Sequence, residues 1–361
     1  MTDIPSPTAP LSLAHTRTLV DDVLSNYFNE QIEKSVHIDA GYVTLWETIK
    51  TLSQSGGKRL RPYVALLTYQ AFSGHPVEDV VPVAAALEIL HLGMLVHDDI
   101  IDRDYIRYGV ANVSGQYNDL YASYIQSSEE RRHFSDSAAM LAGDLLLIGG
   151  HDLLLESKIS DAVLRDVSRI YNHAVFVVAG GELLDTESAF RPFESIDALS
   201  ISRTKTAHYS FVTPLLMGAR LADVSPEVCA QLEAFGEKLG IAYQLVDDLL
   251  GVFGSEDVTG KSALNDLREA KHTLLIEEFK RRANQEQQQQ FEELFGNKSL
   301  TQDTAHTLRN LIVESGAKQA VDELIDRYSH DARHILAEIA MPDIFKAHFE
   351  SLLNTALKRV A

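Results

Sequence analysis

Two aspartate pairs stand inside strongly apolar stretches of this chain: Asp98 and Asp99 in HDDIID, and Asp247 and Asp248 in YQLVDDLLG. Leu90 to Val96 lead into the first pair, and Ile100 and Ile101 separate it from a third acid, Asp102. On a helix, positions 98 and 102 lie one turn apart on one face, with position 99 about 100° round. Carboxylates that close repel and fray the helix unless a cation neutralises them. Hard divalent ions take carboxylate oxygens, and Mg²⁺ is commonly shared between one or two carboxylates and substrate phosphates. Alone, DDxxD suits a solvated helix face equally well. A second pair in a second apolar helix makes chance much less credible, and two such helices facing each other could hold metal between them.

The periodicity around these pairs is helical. Val83, Leu87, Leu90 and Met94 keep i, i+3, i+4 spacing, as do Leu232, Phe235, Leu239 and Tyr243. No stretch combines two-residue alternation with a hairpin signal. Prolines 62, 76, 82, 192 and 226 fall where helices begin or end, and Pro214 predicts a kink. Residues 115–136 read as an excursion between helices, and the Gln-rich 281–292 as an exposed helix. The expected organisation is all-α: a flexible N-terminal tail over residues 1–12, with three prolines in its first ten residues, then one helical domain over 13–361.

Acids outnumber bases 52 to 32, a formal net charge of −20. Such a chain repels nucleic acid and anionic membrane unless its bases are concentrated. The start lacks a basic region followed by an apolar core, and the best apolar run, 141–150, contains Asp144, so neither a secretory signal nor an integral membrane segment is expected. Cys229 is alone, which suits a reducing cytoplasm.

The bases do concentrate. GGKRLRP sets Lys58 and Arg61 behind a Gly pair and ahead of a helix, where a point charge and a bidentate fork can hold a diphosphate. Arg107 follows the first acids, Lys205 lies in TKTAHYS, and Lys261 and Lys271 lie in TGKSALNDLREAKHT. Each alone is an ordinary surface base. His91 shares a helical stripe with Asp98, about 10 Å away at ~1.5 Å per residue, which suits two phosphate-bearing ligands side by side.

In order, GGKRLRP, LEILHLGMLVHDDIID, RYG, MLAGDLLL, GGELLD, KT, YQLVDDLLGVFG and GKSALNDLREAKHT resemble the trans-isoprenyl diphosphate synthases, or polyprenyl synthetases, from about Gly56 to Thr273. The resemblance implies a large helical bundle around a central cavity, of the isoprenoid synthase type. It implies head-to-tail condensation of isopentenyl diphosphate onto an allylic diphosphate through an allylic carbocation, by a homodimer with three Mg²⁺ per active site. Asp98, Asp102 and Asp247 would be the metal ligands, with Asp99, Asp248 and Asp266 as further acids. Arg107, Lys205, Lys261 and Lys271 would meet the allylic diphosphate, and Lys58, Arg61 and His91 isopentenyl diphosphate. Thr206 and Gln244 would face the developing cation. Met94 and Gly93, four and five residues before Asp98, would govern product length; neither is a bulky aromatic, so geranylgeranyl diphosphate or longer is expected, with Leu90 or Phe176 as deeper alternative plugs.

Three positions depart from the family's pattern. Tyr108 stands where a second arginine is usual, Gly251 replaces the third acid of the second motif, and Glu182 replaces a frequent glutamine. A class I terpene cyclase would carry a different second metal motif and would not need Lys58 and Arg61. A non-catalytic subunit of a heteromeric synthase would usually lose the acidic motifs that this chain keeps.

Overall fold

The structure is a computed structural model that describes residues 9–191, 197–254 and 265–357. The chain gathers into two compact units, residues 1–172 with 217–224, and residues 173–216 with 225–361.

The first unit holds α1 (Leu13–Ser35), α2 (Ala40–Ser55), α3 (Leu60–Ser73), a 3₁₀ turn (Glu78–Val80), α4 (Val81–Ile101), a two-stranded hairpin, α5 (Val113–Leu120), α6 (Ser128–Leu155) and the start of α7 (Asp161–Ser188). Helix α4 begins with Pro82 in its first turn, where a missing N–H costs nothing, and is apolar on nearly every side because its neighbours cover it. It packs on α6 through small residues: a Cβ on Gly93 would meet Leu146 Cβ at 3.2 Å and the Gly143 carbonyl at 3.4 Å. Ser127 caps α6 by accepting from the Glu130 N–H, and Glu129 and Glu130 place negative charge at its positive end.

The second unit holds the rest of α7, then α8 (Ala198–Ile201), a π-helix (Ser202–Val212), the first turn of α9 (Thr213–Leu221), α10 (Pro226–Phe253) and α11 (Asn265–Arg268). It continues with α12 (Leu274–Arg282), α13 (Gln285–Leu294), α14 (Gln302–Glu314), α15 (Ala317–Glu338) and α16 (Asp343–Leu357). Its core runs from Leu245 and Leu249 on α10 to Phe279, Phe291, Leu308 and Val321. Helix α10 opens with a Ser225 cap and Pro226 at its first position.

Several expectations are adjusted. Residues 113–120 are helical and α6 begins at Ser128, so the excursion between helices shrinks to 121–127. A two-residue hairpin, Ile106–Arg107 against Val110–Ala111, follows the first acidic motif. Pro214 sits where the π-helix passes into α9, a change of helical pitch in place of a mid-helix kink. The Gln-rich run breaks at Asn284, which caps α13 reciprocally with Gln287. Of the expected tail, residues 1–8 lie outside the described residues, whereas the Leu11 N–H donates to Gln70 Oε1 and Ser12 caps α1, so the last residues of that span are tied down. Helix α4, counted from the preceding turn, and helix α6 are long and apolar enough to cross a membrane by composition; α4 is mostly buried in the protein itself and α6 half so.

Candidate active site

In the first unit the expected diphosphate-binding residues start at the Gly56–Gly57 loop. Arg59, which the sequence did not single out, anchors that loop from a left-handed backbone conformation (φ 54°). Its buried guanidinium donates to Asp21 on α1 at 2.7 Å, to Glu88 on α4 at 2.9 Å, and to the carbonyl of Ser53 at 2.8 Å. The loop is thereby fixed from three elements, which leaves Lys58 exposed and Arg61 half-buried at the start of α3. The signal was Glu88, an acid inside an apolar helix that had to find a cation.

His91 lies on α4 among these bases. Desolvation and the charges of Arg61, Arg107 and Arg59 hold its imidazole well below the ordinary pKa. It is therefore neutral near pH 7, and can donate one hydrogen bond to a phosphate without adding charge. A small pocket here is lined by Gly56, Arg59, Glu88, His91, Leu95 and Tyr108.

Tyr108 and Gly109 form the two-residue loop of the hairpin, with φ of 54° and 76°. Positive φ at both positions is the hairpin geometry that matches strand twist, and a tyrosine there carries local strain. The ring lies flat against the bare Cα of Gly56: a Cβ there would fall 2.6 and 2.7 Å from its Cδ atoms. The residue that replaces a second arginine thus covers the diphosphate loop. Burial raises its phenol above the ordinary value, so it offers a neutral hydroxyl.

Arg107 turns back onto the first acidic motif. Its Nε donates to Asp99 Oδ1 at 2.7 Å, its Nη2 to the same oxygen, and Nη2 also to Asp98 Oδ2 at 3.0 Å. Asp99 is 2% exposed, and desolvation raises its pKa to about 6 although Arg107 pulls it down. The structure therefore gives Arg107 a second partner set besides a diphosphate: it is the built-in counter-ion of the buried acid. Asp98 and Asp102 are half-buried at the end of α4.

In the second unit the π-helix carries Lys205 and Thr206. It is wide because three backbones approach one another. A Cβ on Gly181 of α7 would meet Thr204 Oγ1 at 2.7 Å, and one on Gly240 of α10 would meet Ala207 Cβ at 2.5 Å. Such π turns gather at functional sites. Thr206 donates to Gln244 Oε1 at 2.6 Å, and Gln244 Nε2 donates to Asp248 Oδ1 at 2.7 Å, so three expected residues form one relay. Lys205 Nζ donates to Asp185 at 2.6 Å and to Glu182 at 3.1 Å. Glu182, which stands where a glutamine is frequent, thus pairs with the lysine.

Asp247 is exposed and Asp248 is buried on α10. Desolvation raises Asp248 well above the ordinary carboxylate range, Gln244 offsets part of this, and the charges of Asp247, Asp266 and Asp185 raise it further. Carboxylate oxygens are the donors that hard divalent cations take, although among the described residues no three such side chains are already gathered as a metal site. Lys271 follows α11, its N–H donating to the Asp266 carbonyl at 3.1 Å. Lys261 lies outside the described residues.

The expected opening at Gly93 is not found. Leu146 and the Gly143 carbonyl fill the space in front of it, so this glycine serves the approach of α4 to α6. Met94 is half-buried, Leu90 is buried, and Phe176 is 77% exposed beside His173.

An all-helical fold with acidic pairs on long apolar helices, a base-bearing Gly–Gly loop and a Lys–Thr pair on a widened helix defines the class of prenyl-transferring isoprenoid synthases. The family model described as Polyprenyl synthetase matches residues 43–312. The chain is 31% identical over 312 residues to a geranylfarnesyl diphosphate synthase of Aeropyrum pernix, covering 85% of this chain and 90% of that one. It is 29% identical to a geranylgeranyl diphosphate synthase of Sulfolobus acidocaldarius, covering 87% and 92%. A solved geranylgeranyl pyrophosphate synthase from Corynebacterium glutamicum, complexed with isoprenyl diphosphate and magnesium, superposes with a TM-score of 0.90 at 30% identity, covering 97% and 100%. The chain belongs to the polyprenyl synthetase family, and it is a prenyltransferase of the trans-isoprenyl diphosphate synthase type.

Proposed function

We propose that this enzyme condenses isopentenyl diphosphate with an allylic diphosphate, with Mg²⁺ as cofactor, and releases geranylgeranyl diphosphate or a longer homologue. The observation that carries this reading is the pair of aspartate motifs on two long apolar helices, in a chain that the Polyprenyl synthetase model matches over residues 43–312. Asp98, Asp102 and Asp247 would hold the metal, three ions per active site on the family pattern. Bound there, the metal neutralises the allylic diphosphate as it leaves.

The chain's own residues do the rest. Lys205, Lys261, Lys271 and Arg107 add positive charge where the leaving diphosphate gains negative charge, which is where preorganised charge is most effective. Thr206 and Gln244 present oxygens toward a developing cation, held in place by Asp248. Lys58, Arg61 and neutral His91 bind the second diphosphate, with Tyr108 as a neutral donor beside them. Apolar walls exclude water that would quench the cation. The departing diphosphate can accept the final proton, so no separate base is needed.

We assign the working form as a cytoplasmic homodimer. Supporting it, Phe134, Leu141, Ile148 and Leu155 recur every seven residues on α6, each exposed, a stripe that a second copy would cover. Sedimentation of the purified protein checks this.

The decisive experiment incubates the protein with Mg²⁺, labelled isopentenyl diphosphate and dimethylallyl, geranyl or farnesyl diphosphate in turn, then separates the dephosphorylated products by length. A series ending in one prenol of twenty carbons or more is expected. No incorporation by folded protein that binds Mg²⁺ and diphosphate sinks the reading and leaves the partner-dependent subunit.

A further inference from the structure

Glu182 departs from the family's frequent glutamine, and the structure gives that change a consequence. Helix α7 and the π-helix approach closely at Gly181, where a Cβ would stand 2.7 Å from Thr204 Oγ1 and 2.8 Å from the Lys205 Cα. No side chain fits between them at 181, so the next position on α7 is set beside Lys205. Lys205 Nζ lies 3.1 Å from Glu182 Oε1, 3.0 Å from its Oε2, and 2.6 Å from Asp185 Oδ2. Positions 182 and 185 are helical neighbours, so both carboxylates share the face of α7 that meets the lysine.

All three side chains are largely withdrawn from water, Lys205 at 23% exposed, Glu182 at 19% and Asp185 at 18%. Taken together they carry one positive and two negative charges. Partly buried charges are screened less than surface ones, so the surplus carboxylate weighs on any anion that comes to Lys205. An ammonium is a point charge with three donors, and a donor given to a carboxylate is one that a diphosphate must win. A glutamine at 182 would leave one ammonium against one carboxylate, which balance.

We propose that Glu182 is a positioning residue that competes with the allylic diphosphate for Lys205, and so sets how tightly this enzyme holds a diphosphate. The inference rests on the reading of Lys205 given above and deepens it. On binding, the ammonium passes from Glu182 to a diphosphate oxygen; on release it returns to the carboxylate. The chain thereby gives up affinity for its allylic substrate and gains faster departure of the inorganic diphosphate that the reaction liberates.

The test compares wild type with Glu182→Gln, Glu182→Ala and the conservative Glu182→Asp. Inorganic diphosphate is titrated into each protein by calorimetry in Mg²⁺-containing buffer, with thermal unfolding run alongside. Glu182→Gln and Glu182→Ala bind diphosphate about five- to tenfold more tightly, while Glu182→Asp stays within about twofold of wild type. A residue that merely braced the fold would weaken binding when removed, so the sign separates the two roles. In initial rates, Glu182→Gln lowers the KM for the allylic diphosphate and the inhibition constant of inorganic diphosphate by a similar factor, and leaves the KM for isopentenyl diphosphate unchanged. Equal or weaker diphosphate binding by the folded Glu182→Gln and Glu182→Ala variants overturns the proposal, as does equal tightening by Glu182→Asp. Prenol synthesis by wild type is scored separately. If wild type makes prenols without this binding pattern, the inference fails alone; if the binding pattern holds without prenols, the proposed reaction fails and the role of Glu182 stands.

Discussion

The two acidic motifs look alike in sequence but partner their buried acid differently. In each, the second aspartate is the buried one: Asp99 is 2% exposed and Asp248 6%. Asp99 carries its own counter-ion, since Arg107 binds it through two nitrogens and reaches on to Asp98. Asp248 Oδ1 accepts from the amide of Gln244 and feels the charges of Asp247, Asp266 and Asp185, the last of which is paired with Lys205. The buried acid of the first motif is paired with a guanidinium, whereas that of the second accepts from a neutral amide. Burial alone therefore does not decide what a carboxylate is for; its company does.

The comparison predicts effects of different size and sign. Asp247→Ala removes a proposed metal ligand from the second motif, and lowers kcat/KM for prenyl transfer about 10³-fold or more. Steady-state rates check this, and a loss under tenfold would break the contrast. Arg107→Met strands a buried acid and destabilises the protein by about 3 kcal/mol in urea unfolding. Neutralising the buried acids separates the motifs by sign. In metal-free protein Asp248→Asn stabilises by about 1 kcal/mol, because it ends an uncompensated burial while an amide oxygen can still accept from Gln244. Asp99→Asn destabilises, because it strands Arg107. Equal signs in the two melts would refute the asymmetry.

Half-buried His208 on the π-helix gives a readout through pH. His208 is driven down to about 4 by burial, with His173 adding to the shift. Its unfolded form takes a proton near 6.5, so the folded state binds fewer protons between the two values. The stability it contributes is complete above pH 6.5 and is lost as pH falls toward 4, by about 1–2 kcal/mol after allowance for partial exposure. Melting curves of wild type and His208→Asn should converge across that window. The smallest effect falls at the diphosphate loop. Gly56→Ala displaces the Tyr108 ring, and the KM for isopentenyl diphosphate rises several-fold with little change in kcat, read from initial rates.

Much of this was visible in the sequence because the signals are local. Apolar spacing, proline positions and capping residues specify helices within a few turns, and the motifs occur in one order along the chain. The roles of Arg59 and Glu182 were not legible, because the partners of each are distant in sequence or lie on another element. The expectation at Gly93 failed for the same reason: whether a small residue opens space depends on what stands opposite, and Leu146 does.

By itself, then, the sequence determined the helical class, the two acidic pairs and the family of reactions they serve, since these follow from periodicity and residue chemistry. Only the tertiary structure decided which charges are neutralised. It turned Arg107 onto Asp99, widened the helix beneath Lys205 and Thr206, set Glu182 against Lys205, and laid Tyr108 over Gly56. Charge interactions depend on separation and burial in three dimensions, and a one-dimensional pattern records neither.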